Sequence, residues 1–308
     1  MRIVFMGTPD YAVQSLCALV EAGYEVAGVF TQPDKPKGRG GKVQMPEVKQ
    51  YALPLGIPVY QPKKIRLEGV SDLRALAPEL CVTAAFGQIL SQEILDIPKY
   101  GTVNVHASLL PRYRGSSPIN WCLLNGETVT GVTTMMTDAG IDTGDILLQR
   151  ETAIGPMETA GELTGRLAAI GAELLIETLK ALEAGTLKRR PQDESAMSYY
   201  PMLKKEMGEI DWTQSAKAIA DRIRGLNPWP GAYADTQSRG RLKLLLAAAE
   251  PGGGAEPGTV LEADRKKGLL IQTGEGALRV LTLQAQGGKA MRANDYLLGH
   301  PIAAGERF

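Results

Sequence analysis

The sequence predicts an α/β protein: a Rossmann-like, parallel-sheet N-terminal domain followed by a small C-terminal β-barrel of OB-like type. Three observations lead there. Strand and helix patterns alternate through the first half of the chain, as in a parallel sheet covered on both faces. After about residue 206 the pattern changes to short β runs divided by glycine turns. The 308 residues amount to about two domains at the usual domain size. The expected division is a domain over 1–188, a linker over 189–205 and the barrel over 206–308.

Arg2 to Met6 reads as a buried strand, closed by Gly7-Thr8-Pro9-Asp10. Thr8 is placed to cap a helix, and Pro9 suits its first position. Val13, Leu16, Cys17 and Val20 then share one helical face, which Gly23 ends. Glu25 to Thr31 is the next strand. A helix around Met45 to Leu55 precedes the strand Ile57 to Tyr60, and one near Val70 to Ala77 precedes Leu80 to Ala85. Gly101 to His106 is a further strand, followed by the loop Ala107 to Ser117 and a helix from Pro118 to Leu124. Gly131 to Thr137 is β-rich, and residues 158–184 repeat Leu163, Leu167, Ile170, Leu174 and Leu175 at helical spacing. The polar run Gln192-Asp193-Glu194-Ser195 and Tyr199-Tyr200-Pro201 read as linker. Beyond them come a helix from Ser215 to Ile223 and β runs over Ala232–Asp235, Leu242–Ala248, Gly258–Glu262, Gly268–Thr273 and Ala277–Leu283.

Composition excludes several classes. Apolar residues make up 44% and charged residues 22%, ordinary values for a globular protein and far from a disordered or chromatin-type chain. The formal net charge is zero, but acids outnumber bases before residue 204 and bases outnumber acids after it, which leaves the C-terminal part open to an anionic partner. Three widely spaced cysteines, Cys17, Cys81 and Cys122, with no Cys-x-x-Cys, read as buried free thiols in a reducing cytoplasm. No stretch reaches the length of a membrane span, and the N-terminus reads as a strand rather than a signal peptide. With no heptads, a monomer is the expectation.

Two polar residues stand out at the end of a strand. Alternation puts Asn104 and His106 on one face and Val103 and Val105 on the other. They emerge at the carboxyl end, where an α/β sheet places its ligands. Asp138-Ala139-Gly140-Ile141-Asp142-Thr143-Gly144-Asp145 is a tight acidic turn that does not fit an EF-hand loop. One inward carboxylate from it suits a histidine that needs a partner to fix its tautomer and stabilise its cation. The segment Ser108-Leu109-Leu110-Pro111-Arg112-Tyr113-Arg114-Gly115 follows directly and can wall an aromatic ligand. A Gly-x-Gly-x-x-Gly fingerprint is missing after the first strand, which argues against a dehydrogenase.

Together, Asn-x-His-x-Ser-Leu-Leu-Pro-x-x-Arg-Gly and the later Asp-Thr-Gly-Asp resemble the formyltransferases that use 10-formyltetrahydrofolate. The family includes enzymes acting on glycinamide ribonucleotide, on amino sugars and on methionyl-tRNA. Thr31-Gln32-Pro33-Asp34-Lys35-Pro36-Lys37-Gly38-Arg39-Gly40-Gly41-Lys42 looks like the basic loop of the last branch. So do the opening Val-Phe-Met-Gly-Thr-Pro-Asp-Tyr-Ala, Ile210-Asp211-Trp212 and Asn227-Pro228-Trp229-Pro230.

The resemblance implies formyl transfer to the free amino group of initiator methionyl-tRNA, with no metal. It implies Asn104 and His106 as donors to the formyl oxygen and Asp142 as partner of His106 and proton relay. The folate is expected against Phe86, Gly87, Gln88, Ile89 and Leu90 and against Ser108, Leu109, Leu110 and Pro111. The tRNA is expected against Lys35, Lys37, Arg39 and Lys42. Lys204, Lys205, Arg222, Arg224 and Arg241 are expected to support it from the barrel. The rival within the family is an amino-sugar N-formyltransferase, which would not need the basic loop.

Overall fold

Alternating apolar runs in the first half of the chain become a seven-stranded mixed sheet in the computed structural model, which describes residues 1–37, 41–236 and 240–308. From one edge to the other the strands are Val59–Tyr60, Glu25–Phe30, Arg2–Gly7, Leu80–Ala84, Thr102–His106, Val129–Met136 and Ile146–Ala153. The first five are parallel neighbours. Val129–Met136 runs antiparallel to Thr102–His106, so the sheet expected to be parallel has an antiparallel side. Ile146–Ala153 is a strand that the sequence reading did not include. The central strands are uniformly apolar because both of their faces are covered.

Chain order reverses at Arg2–Gly7, whose neighbours are the second strand in sequence on one side and Leu80–Ala84 on the other. The carboxyl ends of these strands form the switch point at which such sheets take ligands. Thr8 sits there, and it does not cap the following helix. That helix starts at Asp10 with Pro9 at the cap position. The Thr8 hydroxyl instead donates to the Phe86 carbonyl at 3.0 Å and accepts from the Gln32 amide at 3.4 Å. A long-range carbonyl thus outcompetes the local helix terminus, and three loops at the carboxyl ends are tied together.

One face of the sheet packs Val4, Met6, Phe30 and Cys81 against Ile65, Leu73 and Ile94. On the other face Val105 meets the long helix Ala160–Glu183 at Gly171, where a Cβ would lie 2.8 Å from the Val105 side chain. Only glycine lets the helix come this close to the strand that ends in His106.

A hairpin of Lys35–Lys37 and Lys42–Gln44 leaves the sheet after Glu25–Phe30. Its base is anchored by Asp34, which accepts from Lys49 at 2.8 Å and from Gln61 at 2.7 Å. These bonds, that of Gln61 first, hold the Asp34 carboxyl below its usual range.

The chain divides into two compact units. One comprises Met1–Gly115, Thr130–Thr152 and Thr164–Tyr199; the other comprises Ser116–Val129, Ala153–Leu163 and Tyr200–Phe308. In the second unit five strands run antiparallel in the order Ala232–Thr236, Gly240–Glu250, Ala277–Ala285, Gly268–Gln272 and Val260–Asp264. A sixth, Ala290–Arg292, pairs with Ala277–Ala285. Leu242, Leu244, Leu269, Ile271, Leu278, Val280 and Trp212 fill its core. The helix Ala216–Gly225 begins at Ser215, whose hydroxyl accepts the Ala218 amide. Helix Pro118–Leu124 belongs to this unit, and its Asn120 donates to the Gly225 carbonyl at 2.7 Å.

Not every cation expected to face an anionic partner is available. Arg224 is 8% exposed and pairs with the equally buried Asp221 at 2.8 Å. Arg241 pairs with Asp235 at 2.7 Å and lies over the Tyr233 ring. Arg222 donates to the Met207 carbonyl at 2.5 Å, while Lys204 and Lys205 are exposed. Without Arg224, Asp221 keeps only the exposed Lys217 at 2.6 Å, and removing the buried partner of a buried ion pair is costly. Arg224→Met is therefore expected to lower the unfolding free energy by about 3 kcal/mol in a urea titration, whereas Lys204→Met leaves it within about 0.5 kcal/mol.

Candidate active site

The strand Thr102–His106 brings two polar side chains to the carboxyl edge of the sheet, on the face that carries Cys81 and Thr83 of the neighbouring strand. Parallel register sets Thr83 beside Asn104. The Thr83 hydroxyl donates to Asn104 Oδ1 at 2.9 Å. That bond commits the carbonyl end of the amide, and among the described residues Nδ2 has no protein acceptor. Asn104 is half-buried, so its N–H groups are left for a bound oxygen.

His106 is 6% exposed. Its Nε2 lies 2.9 Å from the Tyr113 carbonyl oxygen, which can only accept, so Nε2 carries a proton. Its Nδ1 lies 3.6 Å from Asp142 Oδ1. This is ion-pair range and too long for a direct hydrogen bond, and the gap is wide enough for a proton to be shared with a third group. Asp142 in turn accepts the Gly115 amide through Oδ2 at 2.8 Å. The acidic turn thus presents one inward carboxylate. Asp138 is used locally, accepting from the Gly140 amide and the Thr143 hydroxyl.

The turn holds Asp142 at φ +55°, a left-handed conformation that Asn and Asp tolerate better than other residues. Gly144 follows because a Cβ there would lie 1.8 Å from the Met136 carbonyl oxygen.

The Ser108–Pro111 segment is built into the sheet edge. Ser108 is fully buried and donates to the Arg112 carbonyl at 2.8 Å. Leu110 packs with Met135 and Ile146, and its amide donates to Thr133 Oγ1 at 3.1 Å. Leu109 and Pro111 are half-buried. In the Phe86–Leu90 segment, Phe86 and Leu90 belong to the core. Gln88 clamps the Ile65 amide at 2.7 Å and the Pro62 carbonyl at 3.0 Å. Gly87 is exposed at φ +75°, and Ile89 is 68% exposed. Five of these nine residues therefore present surface: Gly87, Gln88, Ile89, Leu109 and Pro111, with the amide of Gln88 already engaged.

Of the basic loop, Lys35 is an exposed hairpin residue and Lys37 and Lys42 lie in the hairpin strands; Arg39 falls outside the described residues.

Chemically, the cluster offers an amide donor for an oxygen that gains negative charge, an imidazole that can serve the same oxygen or carry a proton, and a carboxylate that can accept one. The serine nearest the histidine in sequence has its hydroxyl occupied. Burial pushes the Cys81 thiol up to about 12, far from thiolate chemistry at neutral pH. Four contributors were not apparent in the sequence: Thr83, the Tyr113 carbonyl, the Gly115 amide and Gln192, which donates to the Asp142 and Gly144 carbonyls. Thr83 is placed beside Asn104 only by the register of the two strands, and nothing local marks Gln192.

The conformation at Asp142 can be checked apart from chemistry. Asp142→Asn keeps the left-handed preference and the acceptor for Gly115. It is expected to unfold within about 0.5 kcal/mol of the unsubstituted chain, while the β-branched Asp142→Val costs about 1–2 kcal/mol.

Residues 1–179 match the formyl transferase family, and residues 202–301 match the formyl transferase C-terminal domain. The chain is 50% identical over 308 residues to a methionyl-tRNA formyltransferase of Geobacter sulfurreducens, covering 100% of this chain and 96% of that protein. It is also 50% identical over 309 residues to one of Acetivibrio thermocellus, covering 99% of each. Among solved structures, an N-formyltransferase from Helicobacter canadensis in complex with folinic acid and dTDP-3-aminofucose superposes with a TM-score of 0.68 at 20% identity, covering 92% of this chain and 98% of that one. HypX from Aquifex aeolicus in complex with tetrahydrofolic acid gives 0.66 at 20% identity, over 96% of this chain and 47% of that one. At such low identity these two speak to the fold alone. With both halves matched and half of its residues identical to those of relatives along its whole length, the chain belongs to the formyl transferase family.

Proposed function

We propose that this protein transfers the formyl group of 10-formyltetrahydrofolate to the free amino group of initiator methionyl-tRNA. The observation that carries the reading is the convergence of Asn104, His106 and Asp142 at the carboxyl edge of the sheet, in a chain matched along its whole length by methionyl-tRNA formyltransferases. No helix among the described residues is long and apolar enough to cross a membrane. The three free cysteines suit a reducing cytoplasm.

Exposed Ile89, half-buried Leu109 and Pro111, and the open backbone at Gly87 suit a flat heterocycle that is apolar on its faces. Bound there, the folate supplies a formyl group on its N10 nitrogen. Asn104 Nδ2 donates to the formyl oxygen as that oxygen gains negative charge. Because the carbonyl end of Asn104 is tied to Thr83, the donor needs no reorientation at the moment of reaction. With Nε2 committed to Tyr113, Nδ1 is the ring nitrogen through which His106 acts. That nitrogen faces Asp142 at 3.6 Å and the position of the reacting oxygen. As the bond from the amine nitrogen to the formyl carbon forms, Asp142, anchored by the Gly115 amide, takes up the amine's proton by way of water, and that proton passes on to N10 as the bond from the formyl carbon to N10 breaks and tetrahydrofolate leaves.

The cations Lys35, Lys37, Arg39 and Lys42 of the hairpin meet the tRNA backbone, with exposed Lys204 and Lys205 as further contacts. Such binding weakens with salt as counterions are released.

The direct test supplies the purified protein with 10-formyltetrahydrofolate and charged initiator tRNA and scores formyl-methionine. Formylation of a nucleotide-linked amino sugar in its place would overturn the reading. Asn104→Ala, His106→Ala and Asp142→Ala are each expected to lower kcat by about 100-fold or more with tRNA binding retained. Thr83→Val is expected to lower it about 10-fold, with recovery in Thr83→Ser, which restores the hydroxyl. Arg39→Ala is expected to raise the KM for tRNA with kcat unchanged, and the difference from the unsubstituted protein to shrink as salt is raised, because one fewer counterion is released on binding.

A further inference from the structure

The segment from Arg190 to Ser198, at first sight a linker, is hydrogen-bonded along much of its length to the loops that carry the cluster. Arg190 exchanges both backbone hydrogen bonds with Ile146, at 2.8 and 2.9 Å. Gln192 Nε2 donates to the carbonyls of Asp142 and Gly144, each at 2.8 Å. Gln192 Oε1 accepts Arg114 Nε at 3.0 Å and Nη2 at 2.8 Å. A guanidinium only donates and a backbone carbonyl only accepts, so the orientation of this amide is unambiguous. Arg114, with a side chain 3% exposed, is itself held by both carboxylate oxygens of Glu194, at 2.7 and 3.0 Å. Ser198 accepts the Tyr113 amide through its hydroxyl at 2.9 Å and the Arg114 amide through its carbonyl at 2.8 Å.

Arg114 stands between the two residues that define the geometry of His106 and Asp142. Tyr113 supplies the carbonyl that takes His106 Nε2, and Gly115 supplies the amide that takes Asp142 Oδ2. Tyr113 at φ +62° and Asp142 at φ +55° are both non-glycine residues in the left-handed region. Such positions persist only where their surroundings over-determine them. Gln192 bonds directly to the second of these residues and to Arg114, the neighbour of the first.

We propose that Gln192 is a positioning residue for the formyl transfer, its side-chain amide bridging Arg114 to the Asp142 turn and so setting the distance from the Asp142 carboxylate to His106. Gln192 touches neither substrate and acts through Asp142. The inference rests on the function proposed above for its kinetic arm, and its spectroscopic arm is independent of that reading.

The chain has two histidines, His106 and His300, so a ¹⁵N-histidine sample gives two sets of ring signals, assigned with His106→Ala. Gln192→Glu is nearly isosteric and keeps the acceptor for Arg114, but it sets a carboxylate oxygen against two carbonyls. It is expected to shift the His106 ring-nitrogen signals, to leave those of His300 in place and to keep a cooperative unfolding transition. In the kinetic arm it lowers kcat by about 10–100-fold with the KM for both substrates within about twofold, because a small misplacement of a catalytic group acts on the transition state and not on binding. Glu194→Gln, on the exposed side of the bridge, gives a smaller change in the same signals and serves as the second variant should Gln192→Glu not fold. Unchanged His106 signals in either folded variant would overturn the proposal. Inactivity of the unsubstituted protein toward methionyl-tRNA would instead count against the proposed function, since the histidine signals are recorded without substrate.

Discussion

An imidazole lodged between two oxygens is the constraint on which the cluster depends. One is the Tyr113 carbonyl at hydrogen-bond distance, and the other is the Asp142 carboxylate at 3.6 Å. The carbonyl cannot donate, so the ring nitrogen that faces it must, and the other nitrogen is the one left for chemistry. The first contact settles which nitrogen carries the structural proton. The second leaves the other nitrogen close to a charge without closing a hydrogen bond on it. A loop that moved Asp142 by an ångström either way would close that bond or lose the partner.

The surrounding structure is organised to keep that spacing. Thr83 turns the Asn104 amide, Gly171 lets the long helix press against the strand beneath, and the 113–115 segment offers both a carbonyl to the histidine and an amide to the carboxylate. The polar side chains nearest the cluster are largely engaged with one another. This preorganisation is the form in which a fold contributes to group transfer when no covalent enzyme nucleophile takes part. It also explains why Ser108 and Gln88, which look like ligand contacts in the sequence, are hydrogen-bonded inside the protein instead.

The two units use their charges differently. In the second, Arg224 and Asp221 are buried together and Arg241 is paired beside Tyr233, so a good part of its positive charge goes into structure. In the first, the hairpin is anchored at Asp34, Lys49 and Gln61 below a stretch rich in Lys and Arg.

Much of the architecture was readable without coordinates because it follows from local periodicity. The alternation of apolar runs, the helical spacing of Leu163, Leu167 and Leu174, and the five β runs after residue 232 all match elements of the fold to within a few residues. Alternation alone also put Asn104 and His106 on one face of a strand, since neighbouring side chains of a strand cannot do otherwise. What the sequence could not contain is which distant groups meet. Thr8 abandons a helix cap for the Phe86 carbonyl, and Thr83 pairs with Asn104 across a strand boundary. Gln192, some 50 residues beyond the acidic turn, reaches its carbonyls. The sequence by itself determined the strands, the helices and the residue types at the cluster, because these depend on neighbours along the chain. The tertiary structure alone decided which hydrogen bonds each polar side chain makes, because partners far apart in sequence are brought together only by folding.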